Sequence, residues 1–427
     1  MAVNKNSKAA AERRKKILRV KIVIFAVILL AYGVSVIFFR NQIDRALNLA
    51  RYGTADIANI KGGNKEGFAA GKLKVHYVDV GQGDAAVIEL PDDKTMVIDG
   101  GPAKAKEQFL TYMADTLPEI DGFDYVILTH SDEDHCGGLD EIIKKFPVRE
   151  GGRIYRPNQL STYKGFTDPA LSLTGIEGFW GNYGQNAGQA SLNYKQFIEL
   201  AYKQQAEIKN VAVYVTDARN PDIDISGDMN GDGDADDYED YKLTFYGPEQ
   251  AAWKGNNNNY SPIFSLDYQG RRFMFTGDAE KECEKLFADA VQSGGIDFGK
   301  KADVINLGHH GSETSTSKEY LNTVLQGKDN PTVLAVISCG ANNSYGHPHQ
   351  STIDRLIDYG ITEEHILRTD KAGTIVIAVS GGDLIYGTVV VSQSDEIKLL
   401  SWTVIGGAIV LVIFVLLFLV KKVNIKI

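Results

Sequence analysis

At 427 residues the chain is too long for one small domain, and its composition, 44% hydrophobic and 23% charged, is that of a globular protein with a sizeable core. Three cysteines, Cys136, Cys283 and Cys339, give no disulfide framework and read as small apolar fillers. Residues 41–420 hold 33 basic and 54 acidic residues, a net charge of −21, and such a surface repels a polyanion unless a basic groove or bound cations intervene.

In chain order, residues 1–21 form a basic tail with Lys5, Lys8, Arg13, Arg14, Lys15, Lys16, Arg19 and Lys21. Ile22 to Phe39 is uncharged and apolar, and Leu399 to Val420 is a second such run, followed by the basic tail 421–427 with Lys421, Lys422 and Lys426. Each run is long enough to cross a hydrocarbon core of ~30 Å as a helix, whereas soluble helices seldom stay apolar on every face. Positive flanks stay cytoplasmic, so the expectation is a cell-membrane protein with two spans, 22–39 and 399–420. Both termini then point inward and everything between lies outside. A cleaved signal peptide is the alternative for the first run. Phe38-Phe39-Arg40-Asn41 offers no small-x-small site, which favours an uncleaved anchor.

Residues 40–72 read as a juxtamembrane helix and a linker loosened by Gly62, Gly63, Gly67 and Gly71. Ordered structure is expected from Leu73, with one domain over 73–392. Alternation and apolar runs predict strands at Lys74–Asp79, Ala85–Leu90, Thr95–Asp99, Tyr125–Thr129, Leu243–Tyr246, Ile263–Tyr268, Arg272–Thr276, Val304–Leu307 and Val333–Ser338. Helical patterns fall at Lys106–Leu117, Leu139–Phe146, Glu280–Ala290 and Ser351–Tyr359. The alternation argues α/β layering. Residues 158–190 read as a long surface insertion, whose Phe179, Trp180 and Tyr183 are expected to pack within it, with base stacking or ammonium binding as the other use.

Three predicted strands end in ionisable clusters: His130-Ser-Asp132-Glu-Asp134-His135, Thr276-Gly-Asp278, and His309-His310-Gly-Ser312. A polar group directly after a buried strand emerges at a sheet edge, and three such edges can converge. Neutral imidazole and carboxylate are what a divalent cation needs, and Asp can bridge two ions. Further motifs are Val78-Asp-Val-Gly81-Gln82-Gly83-Asp84, Asn258-x-x-Ser261 and Tyr345-Gly-His347-Pro348.

In this order and over Leu73 to Val390, these motifs resemble the metallo-β-lactamase superfamily, most of all the hydrolase domain of ComEC-type competence proteins. The resemblance implies a four-layer αββα sandwich, here flanked by one transmembrane helix on each side, and a two-metal site. His130 and Asp132 would hold one ion and Asp134 and His135 the other, with Asp278 as the bridge. His309 or His310 completes the second site; His310 is preferred. Asp134, Asp278, His309 and His347 make up the catalytic set, with His347 contacting substrate or shuttling a proton. Asp84, Asn258 and Ser261 would support the ligands by hydrogen bonds. Asp99 is either similar or a turn residue. Asp132 stands where the superfamily more often has His, and only the polar stretch 256–261 stands where it has a further His. The site is therefore rich in oxygen, and Mn²⁺ rivals Zn²⁺.

Asp228-Met-Asn230-Gly-Asp232-Gly-Asp234-Ala-Asp236-Asp-Tyr-Glu239 matches the calcium loop of EF-hand and dockerin proteins, over 228–239. A structural Ca²⁺ is expected there. The resulting expectation is an anchored, metal-dependent hydrolase of a phosphodiester: DNA, as the resemblance suggests, or a phosphocholine-type envelope ester, as the domain's charge favours. The alternatives are hydrolysis of a lactone, lactam or thioester, and a non-catalytic, calcium-stabilised binding domain.

Overall fold

Runs rich in β-branched and aromatic residues, closed by Gly, Asp and Asn turns, form two sheets. The computed structural model describes residues 54–392 except 162, 164, 173–190, 217–220, 230, 232–236 and 248–255, with a few positions between 12 and 19. The folded unit spans Ala55–Val390. One sheet has the order β1 (Thr54–Lys61), β16 (Asp383–Ser392), β15 (Ile375–Ser380), β2 (Leu73–Tyr77), β3 (Ala86–Glu89), β4 (Thr95–Ile98), β5 (Phe123–Ile127), β6 (Val148–Arg156), β7 (Ala212–Val215). The other has the order β14 (Ile366–Arg368), β13 (Leu334–Ile337), β12 (Val304–Asn306), β11 (Arg271–Phe275), β10 (Ile263–Tyr268), β9 (Tyr241–Gly247), β8 (Ile225–Gly227). Strands β4 to β7 are parallel, and so are β11 to β14. Gly381 and Gly382, both at positive φ (58° and 82°), turn β15 tightly into its antiparallel neighbour β16.

Period-2 side chains sort into layers. Val75, Tyr77, Ile375 and Ile377 from the first sheet meet Phe264, Leu266, Phe273 and Phe275 from the second in one buried core. The outer face of the first sheet, through Val87, Val97, Val126 and Ile154, packs on α2 (Lys106–Thr116), α4 (Leu139–Lys145) and α5 (Leu192–Glu207). The outer face of the second, through Met274, Ile305 and Ala335, packs on α6 (Lys281–Gln292), α7 (Lys318–Leu325) and α8 (Gln350–Asp358). This is the expected αββα layering. The three cysteines are buried fillers in it, and burial pushes the Cys136 thiol up to about 12.

Order begins earlier than Leu73. Residues 54–61 are β1, and α1 (Lys65–Ala70) buries Phe68 against Val376, Ala378 and Ile385. The glycines read as linker residues instead let this segment lie close on the hairpin, since a Cβ on Gly63 would meet the Ile385 side chain at 2.7 Å. The first part of the 158–190 segment is not a surface loop. Asn158, Gln159, Leu160, Ser161, Asp168 and Ala170 are buried, drawn in by the paired Arg156 and Asp168. Residues 173–190, with Phe179, Trp180 and Tyr183, lie outside the described residues, as do 22–39, 399–420 and the calcium-loop positions Asn230, Asp232, Asp234 and Asp236. Among the described residues no helix is long and apolar enough to cross a membrane.

Candidate metal centre

The carboxyl ends of parallel strands in both sheets open on one edge, the usual place for a ligand site in α/β sheets. Strand β4 runs into Asp99, β5 into His130, β11 into Asp278 and β12 into His309 and His310. After β5 the chain turns at once into the short helix α3 (Glu133–Cys136), with Asp132 as its N-cap residue. Asp134 and His135 thus return to the strand end that His130 leaves.

The histidine and carboxylate groups converge on Asp278. His135 Nε2 lies 3.1 Å from Asp278 Oδ1, and His130, His309 and His310 each place Nε2 3.7 Å from Asp278 Oδ2. His310 Nε2 is 3.2 Å from Asp134 Oδ2, and Asp132 Oδ2 is 3.9 Å from His130 Nε2. One ligand atom each from Asp84, His135, Asp278 and His310 lie within 4.8 Å of one another, all in buried residues. The buried atoms His130 Nε2, His135 Nε2 and Asp278 Oδ1 have no hydrogen bond. The 3.1 Å approach of His135 to Asp278 lacks hydrogen-bond geometry, as expected of two donors aimed at a common ion rather than at each other. Three buried polar atoms without partners cost several kcal/mol unless a cation meets them. The residues present therefore fit a metal ion.

Each imidazole is oriented from behind. His135 Nδ1 is 2.7 Å from Asp99 Oδ2, and Asp99 also accepts from the Thr129 N–H and hydroxyl. Asp99 is thus a partner of a candidate ligand and not merely a turn residue, although its φ is positive at 57°. His310 Nδ1 faces Asp84 Oδ1 at 3.3 Å and Ser338 O at 3.0 Å. Gly83 brings the Asp84 loop in; a Cβ there would stand 2.4 Å from the Asp134 carbonyl oxygen. Ser261 Oγ accepts from the Asp278 N–H (3.1 Å) and lies 3.3 Å from His130 Nδ1. His309 Nδ1 is 3.0 Å from Thr314 Oγ1 and 3.5 Å from Glu280 Oε1. Asn258 donates to Glu280 at 2.9 Å. His347 sits at the rim, its ring centroid 5.5 Å from that of His309, with its Nδ1 3.4 Å from Gln82 Nε2.

Charge follows this geometry. Burial works against charge on His135, but Asp278 and Asp99 outweigh it and hold its pKa well above the imidazole range. His310 behaves alike, burial being overcome by Asp278, Asp134 and Asp84. Asp278 is itself held far below the carboxylate range, because His135, His310 and His130 overcome its burial. Burial, then His135, pushes His130 down. The His309 ring, with Asn258 and Asn256, draws Glu280 down to about 2 against its burial. Burial, then His310 and His309, pushes His347 down to about 4.

Four partners lay beyond sequence reasoning: Asp99 as a settled contact, Glu280, Asn257 and Gln159. Asn257 Nδ2 donates to Asp132 Oδ1 at 2.7 Å, and Gln159 Nε2 donates to Asn257 Oδ1 at 2.8 Å. The Gln159 carbonyl accepts from buried Arg156, which pairs with Asp168. The Asn-rich stretch 256–259 was the one signal, and it was visible only as polarity.

Fold and site define a two-sheet α/β protein with a candidate histidine–carboxylate metal site at the strand ends. The chain carries a metallo-β-lactamase superfamily domain: the model described as "Metallo-beta-lactamase superfamily" matches residues 78–156. It is similar to ComE operon protein 3 of Bacillus subtilis, 27% identical over 318 residues, covering 71% of this chain and 32% of that protein. Recombination protein 2 of Haemophilus influenzae is 26% identical over 293 residues, covering 67% of this chain and 26% of that protein. The chain therefore spans a third or less of the length of these relatives. Among solved structures, a putative metal-dependent hydrolase from Parabacteroides distasonis aligns at 13% identity with a TM-score of 0.33, covering 70% of this chain and 93% of that one.

Proposed function

We propose that the domain is a metal-dependent phosphodiesterase acting on nucleic acid. The observation that carries the reading is the convergence of buried His130 Nε2, His135 Nε2 and Asp278 Oδ1 with no hydrogen-bond partner. Two sets of donors surround Asp278. His130, Asp132 and His309 would hold one divalent ion and Asp134, His135 and His310 the other, with Asp278 between. His309, expected from sequence among the catalytic residues, has a ligand's geometry here: Nδ1 is held from behind and Nε2 faces the bridge at the same 3.7 Å as His130. It supplies the imidazole that the stretch before Asp278 lacks. Four imidazoles and four carboxylates, Asp84 included, suit Zn²⁺ or Mn²⁺. Two such ions would neutralise phosphoryl oxygens and lower the pKa of a water between them. The protein's own contribution is to fix the ligand imidazoles and to place His347, neutral near pH 7, at the rim as a proton acceptor. The relatives' names, recombination protein 2 and competence protein ComA, favour nucleic acid among phosphodiesters.

The test pairs Asp278→Asn with His135→Ala. Both variants are expected to lose hydrolysis of a phosphodiester. Asp278→Asn weakens both ion sites, whereas His135→Ala retains about one metal per chain. Circular dichroism checks the fold. Near-normal hydrolysis by well-folded Asp278→Asn overturns the reading. Turnover of a lactam or lactone, with none of a phosphodiester, retains the metal centre and overturns the reaction. We also propose that 228–239 binds Ca²⁺. Asp228 Oδ1 accepts from the Gly231 N–H at 2.6 Å, and Asp240 ties the loop's base by accepting from Met229 and Asp237.

A further inference from the structure

Among the large hydrophobic side chains exposed in the described residues, Tyr345 is the most exposed, at 65%. It also stands beside the metal centre. Its ring stacks on His347, centroids 5.6 Å apart and planes 22° apart. The rings of His135, His310, His347 and Tyr345 follow one another at centroid separations of 5.2, 6.1 and 5.6 Å, with interplanar angles of 36°, 35° and 22°. The series leads from a buried imidazole to a phenol in solvent. One face of Tyr345 is covered by His347, and its exposure leaves the other open.

The loop holds His347 without help from Tyr345. Asn343 Nδ2 donates to the Gly340 and His347 carbonyls at 2.8 and 2.7 Å, and Asn343 Oδ1 accepts from the His347 N–H at 3.0 Å. A large apolar ring exposed for no structural purpose, beside a rigid rim residue, points to a ligand. The shape of the platform selects its chemistry. A quaternary ammonium is held by the faces of several aromatic rings set around it. Tyr345 and His347 are nearly parallel and present a single flat face, which suits a planar base. Charge argues in the same direction. With a net charge of −21 over residues 41–420, the domain has little to offer phosphates beyond its cations. Base stacking needs no opposite charge and tolerates any sequence.

We infer that the open face of Tyr345 is a stacking platform for an unpaired nucleobase, which sets the phosphodiester next to that base at the metal centre. The inference rests on the phosphodiesterase reading and names its substrate class as single-stranded nucleic acid. Stacking of this kind contributes about 5- to 150-fold in binding per base. The test uses the full chain loaded with Mn²⁺. It compares a short single-stranded oligonucleotide with one of the same length whose residues are abasic, by equilibrium binding and by steady-state cleavage. Tyr345→Ala is expected to weaken binding of the base-bearing strand and raise its KM within that range, with kcat little changed. The abasic strand should be unaffected, and Tyr345→Phe and Tyr345→Trp should behave as the unmutated chain. The salt dependence of binding should be shallow, because few phosphates are neutralised by the protein.

Equal loss on abasic and base-bearing strands, or no loss on either, overturns the platform while leaving the hydrolase reading intact. A Tyr345-dependent loss confined to a p-nitrophenyl phosphocholine ester overturns it in favour of an ammonium site. Tyr345-dependent preference for base-bearing strands in binding, with no cleavage of any phosphodiester, supports the platform and overturns the hydrolase reading. Absence of both binding and cleavage overturns both.

Discussion

Asp132 and His135 show how far a candidate ligand depends on the residue behind it. Asp99 takes three donors at once, the Thr129 N–H at 2.8 Å, its hydroxyl at 2.7 Å and the His135 ring at 2.7 Å. Asp99→Asn would turn an NH₂ toward one of those donors and lose the charge that favours His135 as a ligand. We expect metal affinity to fall by about 10- to 100-fold, measured by competition with a chromophoric chelator. Unchanged affinity would mean that Asp99 only shapes its turn. Asn257→Ala should likewise loosen Asp132, whose Oδ1 it holds, and should weaken the ion on the His130 side while sparing the other. Metal titration followed by Mn²⁺ spectroscopy would resolve the two, and equal loss at both would refute a role for Asn257 through Asp132. The His130–His135, Asp278 and His309-His310 clusters were legible in the sequence, because each comes shortly after a buried apolar strand. Their supports were not. Asn257 is 125 residues from Asp132, and Gln159 is 98 from Asn257, so only the folded loops bring these amides together.

The second sheet's helices are tied by a buried carboxyl. Glu284 on α6 is 0% exposed, and its two oxygens accept from the Thr316 and Ser317 N–H groups (2.6 and 2.7 Å) at the start of α7. Burial pushes its pKa up to about 7 from an ordinary 4.5, against the pull of those donors. The folded state thus holds its proton more tightly than the unfolded chain. This stabilisation is fully present below about pH 4.5 and is lost as pH rises to about 7, a change of about 3 kcal/mol at most. Glu284→Gln cannot titrate, so the variant should gain on the unmutated chain across that window, by denaturant unfolding at matched pH. A constant difference would show that the two N–H donors cancel the effect of burial. The apolar runs of β10 and β13 were read from sequence as strands, but β1, β6, β7, β8, β14, β15 and β16 were not. Thr54–Lys61 has only weakly apolar alternation and lies before four glycines, and Gly151-Gly152 interrupts Val148–Arg156. Pairing with β16 and β5 makes both of them strands, so tertiary context outweighs local propensity there.

On the scale of the molecule, the ends of the domain matter. Strands β1 and β16 are neighbours in the first sheet, and Asn59 Nδ2 donates to Thr388 Oγ1 at 2.9 Å. A Cβ on Gly62 would meet Leu384, and one on Gly387 would meet Ala58. Rising numbers in β1 therefore face falling numbers in β16, and the first and last residues of the domain lie at the same end of one strand pair. Fourteen residues separate Phe39 from Thr54, and six separate Ser392 from Leu399. We propose that the apolar runs 22–39 and 399–420, the first preceded by Lys and Arg and the second followed by Lys, hold the domain on the outer face of one membrane by both ends. We expect protease added to intact cells to cut within 55–390 while epitope tags at both termini survive until the cells are lysed. A single cysteine introduced at an exposed domain position, such as Glu313→Cys, should react with an impermeant maleimide in the same cells. Labelling of that cysteine only after lysis, or loss of either terminal tag in intact cells, would place the candidate metal centre on the cytoplasmic side.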